Sequence, residues 1–202
     1  MNEEQARDWV RHRFGVSRET RLEVFVSLLR DEAARQNLIA PSTLDQIWTR
    51  HIVDSAQLLS IAPEEGLWLD IGSGAGLPGI VIALLRDAPI EMVEPRKLRT
   101  DFLARATSEL ELDHAVIHTA KIERTTGPAS VISARAVASL EMLLRIASNR
   151  STSSTVWVLP KGRNAQSEVE EARRNWHGSF HVEPSITASD SLIVVAREVR
   201  PR

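Results

Sequence analysis

A mostly parallel, Rossmann-like α/β sheet preceded by a helical extension is the fold this sequence predicts, and three observations carry it. Residues 1–62 hold almost no glycine and space their apolar residues as helices do. From residue 67 onward, short apolar runs alternate with longer amphipathic stretches, the pattern of successive βαβ units. Directly behind the first of those runs stands a glycine-rich turn.

The elements follow in chain order. Leu22, Phe25, Val26 and Leu29, and later Ile47, Ile52, Leu58 and Leu59, recur at helical intervals. Pro41 with Ser42 or Thr43 is a helix-start signal in "APSTLDQIW", so two or three helices are expected before residue 62. The apolar runs "LWLDIG", "IEMVE", "AVIHT", "SVISA", "TVWVLP", "HVEPSI" and "SLIVVAREV" are then read as strands. No long helical segment separates the last two, which predicts an antiparallel hairpin at one end of the sheet. "NRSTSST" is a polar loop, and Trp68 and Trp157 fall at strand positions where core packing is expected. Residues 1–62 and 63–202 are expected to form one compact unit, the first an extension of the second.

Composition narrows the function. With 202 residues, 43% hydrophobic and 26% charged, the chain can bury one sizeable core. The absence of cysteine excludes disulfides, thiolate nucleophiles and cysteine-ligated metals. The charged start "MNEEQARDWVRHRF" lacks a secretory h-region, and no apolar run has the length of a membrane span, so a cytoplasmic protein without a membrane partner is expected. A formal charge of −2 shows no overall attraction to a polyanion but permits a local basic face.

The segment "WLDIGSGAGLPG" places its glycines at the carboxyl end of the first strand, where open α/β sheets bind ligands. Glycine there admits positive φ and removes the Cβ that would block a ligand. Pro78 suits the first turn of the following helix. Glu94 ends the second strand 18 residues after Gly76, close to the offset of about 20 at which an acid accepts bonds from a ribose. Leu77 occupies the place of the third glycine in G-x-G-x-x-G, and no lysine follows to make a triphosphate loop. Asp70, the turn and Glu94 together fit S-adenosylmethionine, with Asp70 orienting its methionyl part, capping the loop amides, or both.

At this point the chain resembles the GidB (RsmG) family of 16S ribosomal RNA guanine-N7 methyltransferases, a class I S-adenosylmethionine-dependent fold. The resemblance rests on "RQNLIA", "RHIVDS", "LDIGSGAGLPG", "VEPRKLRTDFL", "AKIE", "SARAVASL" and "LPKG", and so spans nearly the whole chain. It implies that Gly72, Ser73, Gly74, Ala75, Gly76 and Leu77 wrap the cofactor and that Glu94 holds its ribose. It further implies that Ala120, Lys121, Ile122 and Glu123 line the adenine end. Arg135 matches an arginine at the mouth of the cofactor pocket, and Lys161 the lysine of a "KG" segment, both carried over as catalytic positions. The sequence departs from the family in having Lys121 where arginine is frequent and Pro160 before the lysine.

The implied chemistry asks little of acids and bases. Guanine N7 carries an in-plane lone pair and no proton, so catalysis rests on alignment. This agrees with a sequence that shows no nucleophile triad, no carboxylate pair and no metal-ligand cluster. Arg96, Lys97 and Arg99, with Lys161 and Arg163 on a later loop, are the expected contacts to RNA phosphates. Arg7, Arg11, Arg13, Arg18 and Arg21 alternate with acids and are read as a solvated face. Arg50, His51 and Asp54 remain open between a structural network and a lid over the cofactor, and His118 is read as strand-end polarity. The implied partner is 16S ribosomal RNA or the small subunit, met by a monomer. Two other classes stay in view: a nucleotide-dependent oxidoreductase, and an RNA-binding module without activity.

Overall fold

The computed structural model describes residues 1–202. Helices α1 (Glu3–Phe14) and α2 (Val16–Ala33) open the chain. An irregular helical stretch follows, 3-10 over Pro41–Gln46 and π over Trp48–Val53, then the short α3 (Asp54–Ala56). Strands β1 (Trp68–Ile71), β2 (Ile90–Val93), β3 (Ala115–His118), β4 (Val131–Ala134) and β5 (Val156–Lys161) alternate with helices α4 (Gly79–Leu85), α5 (Lys97–Glu109) and α6 (Leu140–Ile146). Helix α7 (Ala165–Asn175) leads into β6 (Trp176–Pro184) and β7 (Leu192–Pro201). The sheet order is β3-β2-β1-β4-β5-β7-β6, parallel except at β7, which runs antiparallel to both neighbours.

The predicted hairpin is present, with one correction. "HVEPSI" covers only the end of β6, which begins at Trp176. Gly178 sits at an irregularity in the ladder with φ +147, where a Cβ would meet the Arg197 carbonyl at 2.9 Å.

Period-two alternation sorts the strand residues onto two buried faces. Trp68, Met92, Val131 and Val158 join one core with the N-terminal helices, α4 and α5. Leu69, Val93, Ile132 and Trp157 join the other with α6 and α7. Residues of α1 and α2 such as Val10, Leu22 and Phe25 therefore share a core with the sheet. Trp68 and Trp157 are fully buried, as expected.

Polar contacts pin the extension in place. Asn2 and Gln5 form a reciprocal capping box on α1, while Glu3 accepts from the Trp48 and Thr49 amides at 2.9 Å each. Arg7 and Arg11 pair with the buried Glu19. Arg18 and Arg21 donate to the Leu84 and Leu110 carbonyls, at the ends of α4 and α5, where a helix favours cations. Arg7, Arg11, Arg18 and Arg21 thus tie elements together rather than forming the solvated face expected of them; no helix of the chain is long and apolar enough to cross a membrane.

A tight junction lies under α4. An ideal Cβ on Gly79 would fall 2.7 Å from Met92 Sδ and 2.8 Å from Asp70 Oδ2. Gly79→Ala should therefore destabilise the fold by about 1–3 kcal/mol, since overpacking forces backbone shifts. Urea unfolding measures this, and a wild-type midpoint would show that α4 can move away without cost.

Candidate active site

The site is assembled at the carboxyl ends of β1, β2, β4 and β5. Its foundation is Asp70, fully buried at the end of β1. Oδ2 accepts from the Gly79 amide at 3.2 Å, and Oδ1 from Ser133 Oγ at 2.8 Å. Ser133 in turn accepts from Trp68 Nε1 at 2.9 Å. Burial pushes the Asp70 carboxyl up to about 6, against the lowering effect of its Ser73, Ser133 and Gly79 hydrogen bonds and of Arg135. This geometry provides the capping role read from the sequence: Asp70 lies beneath the turn, fully buried, and does not border the recess above it.

Above it, Gly72, Gly74 and Gly76 take φ of +69, +49 and +78. The turn is docked on β2 by the Gly72 amide, which donates to the Val93 carbonyl at 2.7 Å. A Cβ on Gly74 would point between Arg99 and Glu94, so its absence opens the floor of a recess of about 380 Å³. Gly72, Ser73, Gly74, Ala75, Leu77 and Glu94 all border this recess. Gly76 does not; a Cβ there would strike Ile80 at 2.6 Å, so this glycine serves the packing of α4.

Glu94 is only 2% exposed, yet its carboxylate faces the recess. Oε2 accepts from the Gly74 amide at 3.1 Å and Oε1 from the Arg96 amide at 3.0 Å. Each oxygen keeps a lone pair for the hydroxyls of a ribose. A second, more apolar recess adjoins across Gly72, Pro95 and Val137, and Ala120, Lys121, Ile122 and Glu123 form its other wall. A glycine cradle, an oriented carboxylate and an apolar slot in this order fit the methionyl, ribose and adenine parts of S-adenosylmethionine. The Lys121 departure leaves this wall intact.

A larger cavity of about 690 Å³ opens beside the cofactor recess, and Leu38, Arg135, Ala136 and Val137 are common to both. Arg135 stands at this boundary. Its Nη1 lies 3.8 Å from Asp54 Oδ2 and donates to the Arg50 carbonyl at 3.4 Å. Burial lowers its pKa, while Asp54 and Asp70 oppose that shift. The next residue, Ala136, holds φ +56, a left-handed conformation rare outside glycine and found at functional sites.

Arg50, His51 and Asp54 resolve as a supporting network that also borders the larger cavity. Asp54 Oδ1 accepts from Gln57 at 3.0 Å, Ser185 at 3.1 Å and Thr187 at 3.0 Å, joining the helical extension to the β6–β7 loop. His51 shares a 2.8 Å hydrogen bond with Thr43 Oγ1, and burial, with Arg135 and Arg50 nearby, pushes its pKa down to about 3. Ser185 and Thr187 are not legible as site residues in the sequence, because Asp54 lies 131 and 133 positions away from them in the chain.

The expected RNA contacts divide. Arg163 is 81% exposed, with only a 3.5 Å contact to Asp190. Arg96 and Lys97 are exposed, the latter bridging to Asp101 one helical turn on. Arg99 instead turns inward, 3.7 Å from Glu94, and borders the cofactor recess. Lys161 borders the larger cavity with its side chain only 8% exposed; it donates to the Ala138 carbonyl at 2.6 Å and forms an ion pair with Glu168 Oε2 at 2.8 Å. It anchors the loop after β4, and its charge is engaged by a carboxylate. His118 lies 3.2 Å from Glu91, which also binds the buried Arg150.

Comparison with known proteins settles the relationship. Residues 18–192 match the GidB family, described as rRNA small subunit methyltransferase G. The chain belongs to the GidB family. A GidB relative, Ribosomal RNA small subunit methyltransferase G of Sphingopyxis alaskensis, is 48% identical over 199 residues, 96% of this chain and 85% of that protein. The protein of the same name from Rhizorhabdus wittichii is 44% identical over 207 residues, 100% of this chain and 95% of its own. Two solved structures share the GidB chain's fold alone. A TehB-like SAM-dependent methyltransferase from Corynebacterium glutamicum gives a TM-score of 0.53 at 15% identity, over 72% of this chain and 87% of that one. M. jannaschii TYW2, solved in complex with AdoMet, gives 0.58 at 11% identity, over 75% and 76%. The fold is thus the class I S-adenosylmethionine-dependent methyltransferase fold, and GidB membership sets the oxidoreductase alternative aside.

The buried Asp70 makes a pH-dependent prediction. Its carboxyl binds a proton more tightly in the folded chain than in the unfolded one, so the stability this provides is complete below about pH 4 and is lost as pH rises through about 6. Asp70→Asn should remove that decline, on the order of 2–3 kcal/mol between the two limits. Urea unfolding of both proteins across this range is the measurement, and parallel curves would show that Asp70 does not titrate there.

Proposed function

We propose that this chain transfers a methyl group from S-adenosylmethionine to N7 of a guanine in 16S ribosomal RNA of the small subunit. The coarser part follows from GidB membership: an S-adenosylmethionine-dependent methyltransferase acting on small-subunit rRNA. The observation that supports the finer part is the junction at Arg135, where a nucleoside-shaped recess opens directly onto a cavity large enough for a purine nucleotide.

Bound in the smaller recess, S-adenosylmethionine supplies an electrophilic methyl on a sulfonium. Glu94 would hold its ribose, Gly72–Ala75 its methionyl part, and Ile122 with its neighbours its adenine. The remaining task is to bring an acceptor into line with that methyl, worth a large share of the barrier when geometry is fixed. An acceptor with a lone pair and no proton suits the junction. His51, the imidazole bordering the larger cavity, is too weakly basic at a pKa of about 3 to take up a proton at neutral pH.

Arg135 positions the base. Asp54 and the Arg50 carbonyl hold one edge of its guanidinium, leaving other donors for guanine O6 or a flanking phosphate. A cation pressed on N7 itself would oppose the positive charge that methylation creates, so alignment outweighs direct electrostatic assistance.

The central test is transfer of a labelled methyl group to small-subunit particles and to stripped rRNA, with the modified nucleotide mapped. Label at one guanine N7 is expected. Label elsewhere overturns the N7 reading, and cofactor binding without transfer to either substrate favours a binding module. Glu94→Ala should weaken S-adenosylmethionine binding at least tenfold in calorimetry while leaving the fold intact; wild-type affinity would remove its ribose role.

Phosphate contacts are tested by salt. Arg163→Ala should reduce the slope of log affinity against log salt by about 0.7–0.9, the loss of one released counterion. Lys161→Met should leave that slope at the wild-type value. A slope reduced equally by both would return Lys161 to the RNA surface.

A further inference from the structure

The larger cavity has two ends. At one it meets the cofactor recess along Arg135 and its neighbours; at the other it runs into an outer polar recess that shares Arg50, Gly162, Glu168 and Ser191 with it. A guanine that points N7 toward the cofactor turns its N1 and N2 edge away from it, toward the second end. That edge carries only donors, N1–H and the 2-amino group.

Glu168, near the start of α7, is the carboxylate at that end. Both of its protein contacts fall on Oε2, which accepts from the Leu140 amide at 2.6 Å and forms an ion pair with Lys161 at 2.8 Å. Those contacts hold the carboxylate and leave Oε1 without a protein donor, on a side chain that borders the cavity and is 22% exposed. A carboxylate so held offers what the N1 and N2 edge lacks, an acceptor in fixed orientation.

We infer that Glu168 is the specificity-determining residue for guanine, its Oε1 accepting from N1–H and the 2-amino group of the target base. This rests on the proposed N7 reaction. Adenine also has an N7 lone pair but presents no hydrogen at N1 and no amino group at position 2, so it leaves Oε1 unpaired, and a site built to bond a substrate donor rejects the analogue lacking it. As N7 takes up the methyl, positive charge spreads over the purine and its N1–H becomes a stronger donor. The bond to Glu168 therefore tightens in the transition state, and its loss falls on kcat more than on KM. Lys161 and the Leu140 amide act through Glu168 as positioning groups, a reason for a buried lysine where the sequence suggests a phosphate contact.

Substitution by glutamine is decisive because of those two donors. Facing Lys161 and the Leu140 amide, the side-chain amide introduced by Glu168→Gln must turn its oxygen to them, which sets its NH2 against the donors of the guanine. Reconstituted small-subunit particles carrying guanine or inosine at the mapped position are the substrates, inosine lacking only the 2-amino group. The wild-type protein should prefer guanine about tenfold in kcat/KM, the value of one hydrogen bond to a charged group. Glu168→Gln should bring that ratio near one and lower kcat on guanine at least tenfold, with S-adenosylmethionine affinity unchanged. A variant ratio equal to the wild-type ratio overturns the inference, as does cofactor affinity lost in parallel with activity, which marks Glu168 as merely structural. Should the variant not fold, a wild-type ratio of one is sufficient to reject it. Wild-type protein that leaves guanine N7 unmethylated instead rejects the reaction itself.

Discussion

The buried carboxylate of Asp70 is the constraint on which the rest of the site depends. It belongs to β1, bonds the first amide of α4 and takes the hydroxyl of Ser133 on β4. One side chain thus fixes the three elements between which the ligand recess opens. A carboxylate with no exposure is costly to bury without partners, and here each oxygen has one. Gly79 is part of the same device, since any side chain there would occupy the space of Asp70 and Met92. With β1 and α4 locked at this distance, the turn between them takes its three left-handed glycines and leaves Gly74 open toward Glu94.

A second constraint acts on the loop after β4, the wall between the two cavities. Its left-handed Ala136 is a conformation that the surroundings must hold. Arg135 is held from the side of the helical extension, through Asp54 and thence Ser185 and Thr187. Ala138 and Leu140 are held from the side of β5 and α7, through Lys161 and Glu168. The wall is therefore tied to parts of the chain as far as 133 residues apart, from Asp54 to Thr187. A change in the extension reaches the methyl-transfer junction through bonds that can each be named, which gives the N-terminal helices a role in the site although they contribute little of the cofactor recess.

Much of this is legible in the sequence, for physical reasons that can be stated. The glycine turn and Glu94 stand out because their chemistry is local, a backbone conformation and a fixed offset between adjacent strands. The strands stand out because alternation is a property of short windows. What stays hidden is long-range pairing. Lys161 and Arg163 look alike in the chain, two residues apart in "KGR", yet the fold turns one onto Glu168 and leaves the other in solvent. Arg99 reads as part of a basic run with Arg96 and Lys97, but its place on the first turn of α5 turns it back toward Glu94. Asp70 shows two roles in sequence, and its complete burial favours the cap. Gly178 conceals the first half of β6, because a glycine in a bulge and a glycine in a turn read the same.

These corrections share one electrostatic sense. Three cations near the junction face a carboxylate: Arg135 toward Asp54, Lys161 against Glu168, Arg99 beside Glu94, while Arg50, exposed at the outer side of the larger cavity, has no carboxylate partner. Methylation of a neutral purine nitrogen creates positive charge, and an unneutralised cation within a few ångströms would raise the barrier, the more so at low dielectric. Under the proposed reaction, attraction for a polyanion falls to charges outside the junction, such as Arg163, Arg96 and Lys97, where solvent screens them from the reacting base. On that reading a chain with a net charge of −2 holds RNA at its rim, and the cations nearest the base are offset by the same ion pairs, Arg135–Asp54 and Lys161–Glu168, that fix the wall between the two cavities.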